Sequence, residues 1–314
     1  MITLVISQIE DLLARPGLTD LLINGSSGVW IDDGGGLRCL GEYRFSEPQV
    51  RQAARYLIAR GGRHLDEAHP CIDVRVGEGI RVHAVLPPVS TSGTLISVRV
   101  ASPHAFTLER LVHQGMLTGA ERDFIVGRLQ AQENLIFAGA TGSGKTTLLG
   151  AVMATVPHSE RIVTVEDTAE LRIDHPHVVG LETRQANIEG AGEVSLDELV
   201  RQSLRMRPDR LVLGECRGAE FGTLLTALNT GHGGVGTTLH ASSLEAVPAR
   251  VEALGMLAGL SSELCARLAV EAFHYVLFLD RANGVRRVTQ IGRLELAPGG
   301  EVRVRALGRE EIQW

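Results

Sequence analysis

The 314-residue sequence predicts an α/β protein in which a mostly parallel sheet, covered by helices on both faces, follows a smaller antiparallel α+β module. Three observations carry that prediction. From Asn134 onward, the apolar runs NLIFAG, RIVTVE, RLVLGE and GVGTTLH alternate with helical stretches, and strands buried on both faces of a parallel sheet read as such continuous runs. Before residue 101 the pattern differs: CIDVRV and IRVHAVL alternate apolar and polar residues around Gly77-Glu78-Gly79, as a half-buried hairpin does. Finally, 44% hydrophobic and 22% charged residues are the balance of a globular chain, and this length suits two cores.

In chain order, the turn from Asp32 to Gly36 joins two short strands, GVWID and LRCLG. Ser46 and Gln49 form a capping box ahead of the helix VRQAARYLIAR, which stops at Gly61-Gly62. The hairpin and the strand TLISVRV complete the module. Residues 102–117 read as a Pro-led connector with a short helix, and Thr118 with Glu121 starts a helix running to about Gln132. Each strand of the parallel sheet is expected to lead into a helix, with Ser195-x-x-Glu198 and Ser242-x-x-Glu245 marking two of the starts. The chain closes on the strands FHYVLFLD, VRRVTQIGRLEL and EVRVRAL, separated by turns at Asn283-Gly284 and Pro298-Gly299-Gly300. The expected division is therefore 1–101, a linker over 102–117, and 118–314.

Composition excludes several classes. A net charge of −6 with only 4% aromatic residues argues against a basic, base-stacking groove for single-stranded nucleic acid. Cys39, Cys71, Cys216 and Cys265 lie far apart without a CxxC pair, so neither a zinc site nor a disulfide scaffold is indicated, and a reducing cytoplasm fits. The start, MITLVISQIEDLLARPG, lacks the basic region and cleavage site of a signal peptide. The longest charge-free stretch, 222–244, contains Asn229, His232, His240 and several glycines, so it reads as a loop system rather than a membrane span. Of the 31 basic residues, Lys145 is the single lysine. Elsewhere arginine is expected to act as a solvated charge.

That lysine stands in Gly139-Ala-Thr-Gly-Ser-Gly-Lys-Thr146, which matches GxxxxGK(S/T) between the strand NLIFA and the helix TTLLGAVMATV. Glycines let successive backbone N–H groups converge on phosphate oxygens, and the following helix N-terminus favours negative charge. The candidate phosphate-binding residues are Gly139, Thr141, Gly142, Ser143, Gly144, Lys145, Thr146 and Thr147, with the Thr146 hydroxyl available to Mg²⁺. A planar guanidinium is too broad for the space beneath such a loop, whereas a compact ammonium fits.

Glu166 and Asp167 end the next strand, and strand C-termini line the ligand crevice of an open parallel sheet. Either could orient or deprotonate water, or open a helix with an acidic first turn. Glu215 ends a third strand, with Gly214 where many nucleotide hydrolases carry Asp, so the burden falls on Glu215 and Glu166. His240 ends a further strand, as a phosphate sensor or a hydrogen-bonded strand-end residue, and His232 sits in a glycine-rich turn. His175-Pro-His177 lacks an acid or Cys at metal-ligand spacing and reads as solvated. Arg81 and Arg99 read as surface strand arginines, of interest because phosphoryl transfer calls for an external cation.

The ordered set GATGSGKTT, TVEDTAEL, RMRPDRLVLGECRG and TALNTGHGGVGTTLHA resembles the Walker A, Asp box, Walker B and His box of the type II/IV secretion and type IV pilus assembly ATPases. LTDLLING and LRMRPDRLVLGECRG look most like the Tad (tight adherence) pilus and type IV secretion branches. The resemblance implies a PAS-like N-terminal domain, a RecA-like P-loop ATPase domain, and ATP with Mg²⁺ between them. It also implies a homo-hexamer in the cytoplasm, held at the inner membrane through a platform protein rather than a transmembrane segment of its own. Carried onto this sequence, Lys145 and Thr146 hold phosphate and Mg²⁺, Glu166 and Glu215 serve water activation and the metal shell, and His240 approaches the γ-phosphate. Arg81 and Arg99 match arginines that reach the nucleotide from the N-terminal domain, and Arg217 matches the one after the Walker B acid. The competing reading is a RecA-like nucleic-acid motor, a helicase or packaging ATPase, against which the acidic balance counts.

Overall fold

A computed structural model of the chain describes residues 2–77, 79–101, 105–184, 191–231, 233–282 and 285–312. The expected turn at Asn283-Gly284, Glu78 and His232 lie outside these residues. Two compact units divide at Pro103/His104.

The first unit begins with a helix, α1 (Ile2–Leu13), that is not among the elements expected from the sequence. Val5, Ile9 and Leu12 recur at helical spacing and are buried, which is the sequence signal of this helix. Six strands follow: β1 (Asp20–Asn24), β2 (Val29–Asp32), β3 (Arg38–Leu40), β4 (Cys71–Val76), β5 (Ile80–Val85) and β6 (Leu95–Val100). Between β3 and β4 lies α2 (Glu47–Arg60), whose start is the predicted box: the Ser46 amide donates to Gln49 Oε1 at 2.7 Å. The sheet order is β3-β2-β1-β6-β5-β4, and every pairing among these strands is antiparallel. Alternation places Leu21, Ile23, Val74, Val82, Ala84, Ile96 and Val98 on one face, where they form a core with Val50, Ala53, Leu57 and Ile58 of α2. The opposite face carries Asp73, Arg81, His83 and Arg99.

In the second unit, α3 (Leu108–His113) and α4 (Gly119–Gln130) precede β7 (Leu135–Gly139). Leu108, Leu111, Met116 and Leu117 are buried in this unit's core, so from Leu108 onward the segment read as a linker is packed structure. The remaining elements are α5 (Lys145–Met153), β8 (Ile162–Glu166), β9 (Val178–Glu182), α6 (Leu196–Ser203), β10 (Arg210–Leu213), α7 (Glu220–Leu228), β11 (Gly236–Leu239), α8 (Val247–Leu257), α9 (Ser262–Ala272), β12 (Tyr275–Ala282), β13 (Val285–Leu296), β14 (Val302–Ala306) and α10 (Arg309–Ile312). Their eight-stranded sheet runs β14-β13-β12-β7-β11-β10-β8-β9. Strands β7 to β12 pair in parallel, and β13 and β14 join antiparallel at one edge. One apolar core gathers side chains of α6, α7, α8 and α9, and a second those of α3, α4 and α5, which gives the sheet its two covered faces.

Three local expectations change. Residues 167–177 hold no helix, and β8 leads through irregular chain to β9, so Glu166 and Asp167 do not open a helix. The helix expected from Ser242 begins at Val247 instead, because Pro248 is tolerated in a first turn but would break a helix interior. Nor are all arginines solvated: Arg210 is 2% exposed, ion-paired to Glu160 and donating from Nη1 to the Leu129 carbonyl at 2.8 Å. Among the described residues, no single helix is long and apolar enough to cross a membrane.

Candidate active site

Because β7, β8, β10 and β11 run in parallel, their C-terminal ends gather at one edge of the sheet. Residues far apart in sequence meet there. The loop after β7 ends at the N-terminus of α5, with Gly142 and Gly144 at φ +76° and +95°, a region in which any other residue would be strained. Lys145 is 6% exposed, and its ammonium donates to the carbonyls of Gly139 and Ala140 at 2.9 and 2.8 Å. Its pKa is lowered by burial, partly offset by the charge of Glu215.

From Lys145 a chain of polar contacts crosses the edge. His240 Nδ1 lies 3.4 Å from Lys145 Nζ, and His240 Nε2 lies 3.1 Å from Glu215 Oε1. A neutral imidazole protonated on Nε2 satisfies both contacts, accepting from the ammonium and donating to the carboxylate. Burial and the Lys145 charge both hold the His240 pKa down, which favours that neutral form. Arg217 donates to Glu215 Oε2 at 2.7 Å and lies 3.3 Å from Asp167 Oδ2. Burial raises the Glu215 pKa, but Arg217, His240 and Lys145 together outweigh it and keep the carboxyl below its ordinary value.

Glu166 is differently placed. It is 5% exposed, and its Oε1 accepts from the amides of Glu170 and Leu171 at 3.0 and 2.9 Å. Burial drives its pKa up to about 7 in spite of those two bonds. Gly214 now has a physical reason: a β-carbon there would fall 2.8 Å from Glu166 Cγ, so the space that an Asp would occupy belongs to Glu166. One carboxylate at this edge is thus kept ionised and another is poised near neutrality, the separation expected of an acid–base pair.

The loop suits a phosphate. Ser143 Oγ is buried without a hydrogen-bond partner among the described residues, and a β-carbon at Gly139 would strike the Leu279 carbonyl at 2.1 Å. With the Lys145 ammonium and the start of α5, this is a donor set for phosphate oxygens. Thr146 and Thr147 are half-buried in the first turn of α5. No group of three or more His, Cys, Asp or Glu that could hold a metal by itself occurs among the described residues.

The structure therefore brings together Lys145, His240, Glu215 and Arg217, with Glu166 behind Gly214. Arg81 and Arg99 belong to the first unit, directly opposite each other on β5 and β6, with Arg81 hydrogen-bonded to Asp73 through Nε and Nη2. His177 accepts from Arg161 at the surface. Sequence reasoning missed the partnership of Asp167 with Arg217, and the packing of Met116 and Arg286 against Gly144.

A phosphate loop on a parallel sheet, with acids and a histidine at the ends of the adjoining strands, defines a RecA-like P-loop domain, here accompanied by an α+β N-terminal domain. The chain belongs to the type II/IV secretion system protein family, a family of secretion and pilus ATPases, whose model matches residues 6–290. A Mycobacterium tuberculosis protein named for conjugal transfer is 46% identical over 300 residues, covering 93% of this chain and 85% of that one. The type IV secretion system protein PtlH of Bordetella pertussis is 30% identical over 259 residues, covering 74% and 75%. Among solved structures, the pilus retraction motor PilT with bound ADP matches with a TM-score of 0.63 at 18% identity, covering 98% of this chain and 85% of that one. The Legionella pneumophila ATPase DotB matches at 0.59 and 20%, covering 98% and 81%. At those identities the likeness is one of fold.

Proposed function

We propose that this chain is an ATP-hydrolysing motor that powers pilus assembly, of the Tad or Flp-like kind, or type II/IV secretion. The observation that carries the reading is the unbroken contact series Lys145–His240–Glu215–Arg217 across the strand ends beside the phosphate loop. In this reading Gly139, Thr141, Gly142, Ser143, Gly144, Lys145, Thr146 and Thr147 hold the phosphates of ATP. Thr146 and Glu215 are the residues that would hold Mg²⁺, which when bound would supply charge neutralisation for the phosphates. Glu166, with a pKa of about 7, accepts the proton of the attacking water near neutral pH. His240, neutral and hydrogen-bonded at both ring nitrogens, senses the phosphate that Lys145 holds.

Arg81 and Arg99 serve as the cations that meet the terminal phosphate from the N-terminal domain. Loss of that phosphate releases them, and the units rotate relative to each other within a homo-hexameric ring. The ring works in the cytoplasm, peripheral to the inner membrane, on a membrane platform partner. The Tad assignment rests on LTDLLING and LRMRPDRLVLGECRG.

Steady-state ATP turnover tests the reading. Wild-type protein should hydrolyse ATP without strong stimulation by single-stranded DNA or RNA, and Lys145→Ala should abolish turnover. Arg81→Ala should keep nucleotide binding while depressing turnover; wild-type turnover in that variant would remove Arg81 from the mechanism.

A further inference from the structure

The hairpin of β12 and β13 stands beside the phosphate loop on the side away from the acids. β12 pairs with β7 in parallel, with Leu279 opposite Gly139, and runs on past the end of β7 to Ala282. The chain then returns along β13 with Arg286 opposite Arg281 and Arg287 opposite Asp280. On the other side of β7 come β11, β10 and β8, with His240 and Glu215 just beyond the first two and Glu166 at the end of the third. The loop is therefore flanked by two unlike walls.

Arg286 lies against the loop itself. A β-carbon built on Gly144 would sit 3.5 Å from Arg286 Cδ and 3.9 Å from its Cβ, with Met116 Cε at 2.9 Å on the same glycine. The aliphatic stem of this arginine thus lies within van der Waals reach of Gly144 in the phosphate loop. The Arg286 side chain is exposed and, among the described residues, has no hydrogen bond, ion pair or ring contact. Toward its turn the hairpin carries Arg281, Arg286 and Arg287 together with Asp280, whose Oδ1 accepts from the Arg281 amide. An exposed guanidinium with no counter-ion, its stem laid against a phosphate loop, is placed to meet an anion or an aromatic face.

Direction follows from the opposite wall. The Lys145 ammonium points to His240 and Glu215, so the terminal phosphate of a bound nucleotide belongs on that flank. Its nucleoside must then leave along the other flank, where Arg286 stands. We infer that Arg286 binds the nucleoside end of the nucleotide, its ribose and base, and so sets the preference for a nucleotide over a bare polyphosphate. The inference rests on the reading of the loop as a nucleotide site. Residue 287 provides an internal control, because neighbouring residues of a strand point to opposite faces.

Equilibrium binding of ADP, ATP and inorganic triphosphate to the full chain, by calorimetry, tests the assignment. Arg286→Ala should weaken ADP and ATP about ten- to hundredfold, as loss of a charge-assisted contact does, and leave inorganic triphosphate unchanged. Arg286→Lys should fall between, and Arg287→Ala should match wild type. Unchanged melting temperatures will establish that the variants fold. Equal losses for ATP and triphosphate, or undiminished ADP binding in Arg286→Ala, would overturn the assignment while leaving the loop reading intact. A wild-type chain that binds none of the three probes, or a Lys145→Ala variant that binds ATP as well as wild type does, would overturn both.

Discussion

On the antiparallel sheet of the first unit, Arg81 and Arg99 stand side by side across β5 and β6 on the face away from the core, and the Arg81 side chain is 41% exposed although paired to Asp73. At the carboxyl edge of the parallel sheet in the second unit, Lys145 and Glu166 are 6% and 5% exposed, and both are displaced from their ordinary pKa values. The contrast follows from topology. Antiparallel hairpins lay charges in rows that water can reach, whereas parallel strands deliver their ends to one edge, where neighbouring loops and helices exclude water. Charge in the first unit is consequently cheap to hold, and charge in the second is held by its surroundings.

The sharpest way to break that comparison is at a buried arginine. Removing Arg210 strands Glu160 and the Leu129 carbonyl, so Arg210→Ala should destabilise the second unit by about 3–5 kcal/mol in urea unfolding. A loss below about 1 kcal/mol would mean that burial does not separate the two sheets energetically. Next comes Gly214→Ala, whose new β-carbon meets Glu166 Cγ at 2.8 Å. It should cost about 1–3 kcal/mol and depress ATP turnover more than ADP binding. Unchanged turnover in a folded variant would show that the position of Glu166 is not critical.

Glu166 also makes a pH-dependent prediction. Its folded pKa of about 7 lies above the ordinary 4.5, so the folded state retains the proton more strongly than the unfolded chain. The associated stability is complete at low pH and is lost as pH rises toward 7. Glu166→Gln, neutral throughout, should therefore gain about 2 kcal/mol relative to wild type between pH 5.5 and pH 8. A constant difference across that range would place the carboxyl in an ordinary environment. The smallest effect belongs to the exposed pair: Arg81→Ala should change stability by less than about 1 kcal/mol, measured by the same unfolding curves.

Much of the second unit was legible because its signals are local. The run LIFAG, the glycine loop and Lys145 are contiguous, and apolar strands ending in Glu166, Glu215 and His240 announce a common edge once the sheet is parallel. What escaped depends on contacts between distant residues. The reason for glycine at 214 is the side chain of Glu166, the partner of Asp167 is Arg217, and Arg286 reaches Gly144 only after a hairpin has been folded beside β7. In the same way β9 was hidden because its residues are only half-buried at a sheet edge, so VVGLE lacks the apolar weight of its neighbours. Pro248 outweighs the Ser242 capping signal, a competition between two local rules that sets the helix start at Val247.

The central claim is that the one lysine of the chain sits beneath a bound nucleotide at the buried edge. Burial lowers the Lys145 pKa and so raises the fraction of free amine that can react. An amine-specific reagent, followed by peptide mass spectrometry, has Lys145 as its only side-chain amine in this sequence. Saturating Mg-ATP should suppress modification at Lys145 while leaving the chain's terminal amine unaffected; labelling of Lys145 that is the same with and without nucleotide would contradict the account.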